Sequence, residues 1–130
     1  MSSQQQTVEQ RRAADAWSRI SKDVKKSFAS EYRSLARGLP ADVLTNGLGQ
    51  TLAFLCSKGK KGGRFKDDSE HAALYRHIST WVAPKMGWGR DDLLNRLIDK
   101  DTGSDDYRRA MAETLAYLVW LKRFAEAELS

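Results

Sequence analysis

The chain has 130 residues, 41% of them hydrophobic, with four tryptophans and a formal net charge of +5. This length favours one domain spanning residues 1–130, with enough apolar material to bury a core without staples. The single Cys56 excludes an internal disulfide and fits a reducing compartment. The longest apolar run, Leu115–Leu121, is far shorter than the roughly 20 residues of a membrane-spanning helix. The start, Met1-Ser-Ser-Gln-Gln-Gln6, lacks the hydrophobic stretch of a secretory signal. The expectation is a cytoplasmic protein with no membrane partner, disordered over residues 1–6.

Apolar residues recur with a helical period. Val8, Ala13, Trp17, Ile20 and Val24 predict a first amphipathic helix. Phe28, Tyr32, Leu35 and Leu39 predict a second, ended by Gly38 and Pro40. A third stripe runs from Ala41 through Val43, Leu44, Leu48, Leu52 and Leu55 to Ser57, with Asn46, Gly47 and Gly49 inside it. Glycine costs about 1 kcal/mol relative to alanine in a helix, so close approach of a neighbouring backbone is expected there.

Residues 58–66, Lys-Gly-Lys-Lys-Gly-Gly-Arg-Phe-Lys, hold five cations and no acid. Their composition predicts a mobile, basic surface loop. Asp67-x-x-Glu70 resembles a capping box opening a fourth helix through Leu74, Ile78, Trp81 and Val82, stopped by Pro84 and Gly87. A short fifth helix follows from Asp91 and Asp92 through Leu94, Leu97 and Ile98. After Thr102-Gly-Ser104, a last helix runs from about Asp105 to Leu129 and is apolar on nearly every side between Leu115 and Leu121. The fold expected is all-α: a compact bundle of about six helices with a central C-terminal helix.

Enzymatic chemistry has little foothold, and no catalytic residue is assigned. The acidic pairs Asp67/Asp68, Asp91/Asp92 and Asp105/Asp106 suggest a metal-dependent nuclease, yet each stands where a helix starts, and there carboxylates cap free N–H groups. His71 and His77 are six apart, not the i, i+4 spacing that places two imidazoles on one metal. They read as surface or boundary residues, and no metal or cofactor is expected. Cys56 reads as a small apolar side chain. Gly59–Lys66 lacks the Gly-Lys-Ser/Thr ending of a phosphate-cradling loop. Trp17 and Trp120 read as core, and Trp88 as a packing residue ahead of the fifth helix.

Charge is more informative. Residues 1–66 hold 13 Lys/Arg against 5 Asp/Glu, while residues 67–130 hold 9 against 12. A chain so polarised can attract a polyanion, and its unlike ends can attract each other in successive copies. On the first helix Arg12, Arg19, Lys22 and Lys26 fall roughly opposite Trp17, Ile20 and Val24, with Lys25 extending that face. Lys58, Lys60, Lys61, Arg64 and Lys66 of the loop, with Lys122 and Arg123 near the C-terminus, extend the basic surface, from which the candidate phosphate-binding set is Arg19, Lys22, Lys25, Lys26, Lys58, Lys60, Lys61, Arg64, Lys122 and Arg123. Flexible glycine spacing suits backbone phosphates rather than base edges. If one copy neutralises three phosphates of a single strand, affinity falls roughly 20-fold between about 50 and 200 mM salt.

Three segments carry a family resemblance: Arg12-Ala-Ala-x-x-Trp17, Asn46-Gly-Leu-Gly-Gln-Thr-Leu-Ala-Phe-Leu-Cys-Ser-Lys58, and Tyr107-Arg108, Glu113, Tyr117 with Trp120-Leu-Lys-Arg-Phe-Ala125. In order and spacing the chain resembles the small subunit of the Cmr effector complex of type III-B CRISPR systems. The resemblance implies a compact helical subunit that stacks head to tail with copies of itself. It implies as partners the guide-holding backbone subunit, the large subunit and the target single-stranded RNA whose groove it helps to line, with cleavage left to the backbone subunit. Lys58, Lys122 and Arg123 match basic positions of the family motifs, whereas residues 59–66 lie outside them. The alternative is a helical DNA-binding regulator, against which stands the lack of a two-helix reader for a major groove.

Overall fold

A computed structural model describes residues 6–129; the disorder expected for residues 1–6 lies, Gln6 apart, outside them. The first helix, α1 (Val8–Lys22), opens on a capping box: Thr7 Oγ1 accepts from Gln10 N–H at 3.0 Å, and Gln10 Oε1 accepts from Thr7 N–H at 2.8 Å. A single 3-10 turn, Lys26–Phe28, leads into α2 (Ala29–Asn46) and then α3 (Leu48–Gly59).

The predicted break at Gly38 and Pro40 is not observed, because α2 runs straight through both residues. Leu39 and Val43, both fully buried, hold that turn against the core. Their burial, each typically about 1.5–3 kcal/mol, offsets the roughly 3 kcal/mol that an interior proline costs. The chain turns instead at Gly47, whose φ of 88° lies in the left-handed region open to glycine. Gly49 does answer to a close approach, but by a side chain: the Tyr107 hydroxyl accepts from its N–H at 2.7 Å and would lie 3.0 Å from an added Cβ.

After α3, Lys60–Lys61 (β1) pairs antiparallel with Arg64–Phe65 (β2), Lys60 opposite Phe65 and Lys61 opposite Arg64. Gly62 and Gly63 both have positive φ, as a tight two-residue hairpin turn requires. The segment expected to be a mobile loop is thus a hairpin. Phe65 stacks on Tyr75 at 5.4 Å, a contact that composition does not reveal.

The next helix, α4 (Glu70–Lys85), is capped by Ser69, whose hydroxyl accepts from Ala72 N–H; the Asp67 capping box does not form, and Pro84 lies inside the helix. Helix α5 (Leu93–Leu97) is capped by Asp92 and stops short of Ile98, which is exposed. The last helix, α6 (Ser104–Glu128), opens on Gly103 with no side-chain cap. Of the three acidic pairs, then, only the second supplies a capping side chain. Asp91 pairs with Arg96, while Asp105 and Asp106 pair with Arg108 and Arg109 one turn on.

The expected all-α bundle of about six helices is the observed fold, with six α-helices among the described residues. Helix α6 packs on α1, α2 and α4, burying Tyr117, Leu118, Leu121 and Ala125, though Val119 faces outward. Trp17 is not core: it is 44% exposed at the α1–α6 seam, edge-on to Phe124 at 5.3 Å, and Trp120 is only half-buried beside it. Trp88 is buried, with the Arg96 guanidinium over its ring.

His77, expected near the surface, is completely buried, its Nδ1 2.7 Å from the Tyr32 hydroxyl and its Nε2 3.6 Å from Asp23 Oδ2. Burial, reinforced by Arg76, holds the imidazole pKa down to about 3. An unfolded histidine titrates near 6.5, so the denatured chain takes up a proton that the folded chain refuses. This contribution to stability is whole above that pH and lost as pH falls toward 3. Urea denaturation is expected to show a loss of about 2 kcal/mol on passing to about pH 5. The loss should be much smaller in His77→Gln; an equal loss there would assign the pH dependence elsewhere.

Candidate nucleic-acid interface

Contacts between helices fix where the cations lie. Along α1 and α6 they advance together, from Arg12–Glu113 through Asp15–Tyr117 to Trp17–Phe124. From α2 to the first turn of α3 the contacts retreat along α6, from Arg37–Glu126 to Gly49–Tyr107, and the end of α3, Gly59, meets Ala72 at the start of α4. Helix α4 runs against α1, its middle at Asp23 and its Trp81 at Glu113. The ends of α1, α3 and α6, the starts of α2 and α4, and the hairpin therefore gather at one end of the bundle.

That end holds the sequence-nominated set. Lys22, Lys26, Lys58, Lys61, Arg64 and Arg123 are exposed and Lys122 is half-buried, and none has an ion-pair partner among the described residues. Lys25 Nζ reaches Asp68 Oδ1 at 3.6 Å and the Asp67 carbonyl at 3.4 Å, which ties the 3-10 turn to the segment after the hairpin. Lys58 and Lys66 both act on His71; its pKa is lowered by burial first and by these two charges as well. Lys60 lies over the Phe65 ring at 4.6 Å, on the hairpin face turned toward Tyr75. Lys61 and Arg64 share the opposite face.

Two basic residues of the predicted α1 face do internal work. The Arg12 guanidinium grips Glu113 in a two-pronged ion pair, Nε and a terminal nitrogen donating at 2.7 and 2.9 Å. Arg19, expected in the RNA-binding set, is held between Asp15 at 3.5 Å and Asp23 at 3.3 Å, with 29% of its side chain exposed. A helical wheel of α1 alone places both on the polar side; the Arg12 partner on α6 is invisible to it, whereas Asp15 and Asp23, each four residues from Arg19, are legible in the local sequence. Conversely, the wheel misses Arg33, half-buried on α2 at the cationic end.

At the other end of the bundle, the α2–α3 corner is different. Between Arg37 and Lys58 the chain has no cation. The α2–α3 corner carries a groove of about 630 Å³ lined by Asp42, Thr45, Asn46, Gln50, Thr51 and Phe54. Among the described residues, no three His, Cys, Asp or Glu side chains converge where a metal ion could sit, and no helix is long and apolar enough to cross a membrane. Cys56 is half-buried, and burial pushes its thiol pKa up, away from the reactive thiolate.

Fold and charge together define a class: a small all-α bundle with a group of exposed, unpaired cations at the end where α1, α3 and α6 finish. The family description "CRISPR-associated protein (Cas_Cmr5)" matches residues 8–128. A protein of Thermus thermophilus described as CRISPR system Cmr subunit Cmr5 is 33% identical over 117 residues, which cover 88% of this chain and 90% of that protein. The crystal structure of a CRISPR-associated Cmr5 family protein from the same organism superposes with a TM-score of 0.74 at 31% identity, covering 96% of this chain and all of the other. The chain belongs to the CRISPR-associated Cmr5 family.

Proposed function

We propose that the protein is a non-catalytic structural subunit of a type III-B CRISPR RNA-guided effector complex. It associates there with the other Cmr subunits, stacks head to tail with copies of itself, and lines the groove for target single-stranded RNA through contacts that ignore sequence. Family membership supports the assembly. The observation that carries the RNA reading is the gathering of unpaired lysines and arginines at one end of the bundle. Their long, flexible side chains, spread over a 3-10 turn, helix ends and a hairpin, suit phosphates of variable spacing. A single copy neutralises few phosphates, so useful affinity comes from several copies aligned on one strand.

The decisive measurement is binding of a long unstructured RNA such as poly(U) in low salt. Lys22→Glu, Lys26→Glu, Lys58→Glu and Lys66→Glu, introduced together, are expected to weaken binding about tenfold or more while leaving the helical circular dichroism unchanged. Undiminished affinity would remove the cationic end as the RNA surface. Tight, sequence-dependent binding to a short DNA duplex would replace this function with that of a regulator.

A further inference from the structure

The groove at the α2–α3 corner is lined mostly by the Asn46–Lys58 segment, one of the three that carry the family resemblance, yet the fold uses only part of that segment. Gly47 makes the turn, Gly49 leaves room for Tyr107, the Thr51 hydroxyl donates to the Gly47 carbonyl at 2.9 Å, and Leu48 and Leu52 fill the core. Asn46 and Gln50 do none of these things. Both are exposed, both line the groove, and among the described residues neither side-chain amide hydrogen-bonds within the chain.

The groove's chemistry selects its occupant. The lining holds one carboxylate, Asp42, and two amides, with no cation anywhere from residue 38 to residue 57. Such a lining meets a polyanion with a carboxylate and no cation, while its carboxylate and amide oxygens accept hydrogen bonds from ammonium or guanidinium groups. The same chain carries a matching projection. In the hairpin, Lys61 and Arg64 stand side by side on the face away from Tyr75, and the tip, Gly62-Gly63, has no side chains to obstruct entry. The groove runs from the end of α2 along the first half of α3 to Phe54, and the hairpin leaves the far end of the same helix after Gly59. A projection at one end and its receptor at the other is the arrangement from which a heterologous, self-propagating contact is built.

We propose that the α2–α3 groove receives the hairpin of a second copy of this chain, Lys61 and Arg64 bonding to Asp42, Asn46 and Gln50. The proposal rests on the head-to-tail reading above and specifies which surfaces meet. It also divides the cations: along a stack Lys61 and Arg64 are covered by the neighbour, leaving Lys22, Lys26, Lys58 and Lys66 to face RNA.

The test uses full-length protein carrying Cys56→Ala. Under mild oxidation, Lys61→Cys mixed with Asn46→Cys is expected to give a disulfide-linked dimer, whereas Lys61→Cys mixed with Ala14→Cys, on the exposed side of α1, is not. In sedimentation, Asp42→Lys is expected to weaken self-association about tenfold or more. Adding Lys61→Asp to it should restore association to within roughly threefold. If copies associate but Asp42→Lys has no effect and cross-linking shows no preference, this contact is wrong while stacking survives. If wild-type copies fail to associate even in low salt on poly(U), the stacking reading falls as well. If Asp42→Lys leaves self-association intact but detaches the chain from its native complex, the groove belongs to a different protein.

Discussion

Glu113→Ala is expected to cost about 3 kcal/mol of folding stability, seen as a fall of roughly 10 °C in the melting temperature. The carboxylate is the meeting point of three elements. Arg12 of α1 donates two hydrogen bonds to it, and Trp81 Nε1 of α4 donates a third at 2.8 Å. With 15% of the Glu113 side chain and 20% of the Arg12 side chain exposed, little water can replace the lost partner. Truncation leaves the indole N–H and two guanidinium N–H groups without their acceptor, Arg12 keeping only its exposed contact with Glu9 at 3.2 Å, and that penalty, rather than the worth of one ion pair, sets the size of the effect. The same arrangement holds the Glu113 pKa below the ordinary carboxylate value, chiefly through the hydrogen bond from Arg12. Paired replacement, Arg12→Met with Glu113→Leu, should recover much of the loss. If Glu113→Ala melts within a degree or two of the wild type, the junction is only a surface contact.

Gly59→Ala is expected to be nearly as damaging, despite adding a single methyl group. A Cβ at that position would lie 2.7 Å from Ala72 N and 2.8 Å from Ala72 Cα, backbone atoms of α4 that cannot swing aside. Relief requires α3 and α4 to separate or the hairpin between them to shift. A cost of about 2–3 kcal/mol is typical of overpacking. Gly38→Ala is the internal control: nothing lies within 4 Å of its added methyl, and the helical backbone of α2 suits alanine. That substitution should stabilise by roughly 0.5–1 kcal/mol. Urea denaturation of both variants separates crowding from helix propensity; equal effects of the same sign would contradict the close α3–α4 contact.

The helical class, the number of helices and the central place of α6 were legible in the sequence because apolar spacing is local and repeats every three to four residues. Boundaries were less so. Pro40 reads as a stop from its own chemistry, but Leu39 and Val43 are held by helices far along the chain, and packing overrides the local preference. Gly59 reads as loop filler, since its close approach to Ala72 depends on a contact between two helices. His77 lies on a face that Tyr32 of α2 and Asp23 beyond α1 close over, which its own stripe does not announce. For the candidate site, a basic residue is visible in sequence but a partner on another helix is not. Arg12 could be told from Lys22 and Lys26 only once α6 was in place, whereas the i±4 acids Asp15 and Asp23 beside Arg19 were already a local signal.

The companionship of α1 and α6 bears on how the molecule is made. Arg12 and Glu113 are 101 positions apart, and Asp15 and Tyr117 are 102 apart. A bundle of this size usually gains speed from neighbours in sequence meeting early, but here the first helix must wait for the last. During synthesis its apolar stripe, Ala16 and Ile20 included, has only a slight contact with α4 for cover until residues beyond 113 leave the ribosome. Premature termination within α6 would therefore strand a sticky amphipathic segment rather than merely shorten the protein.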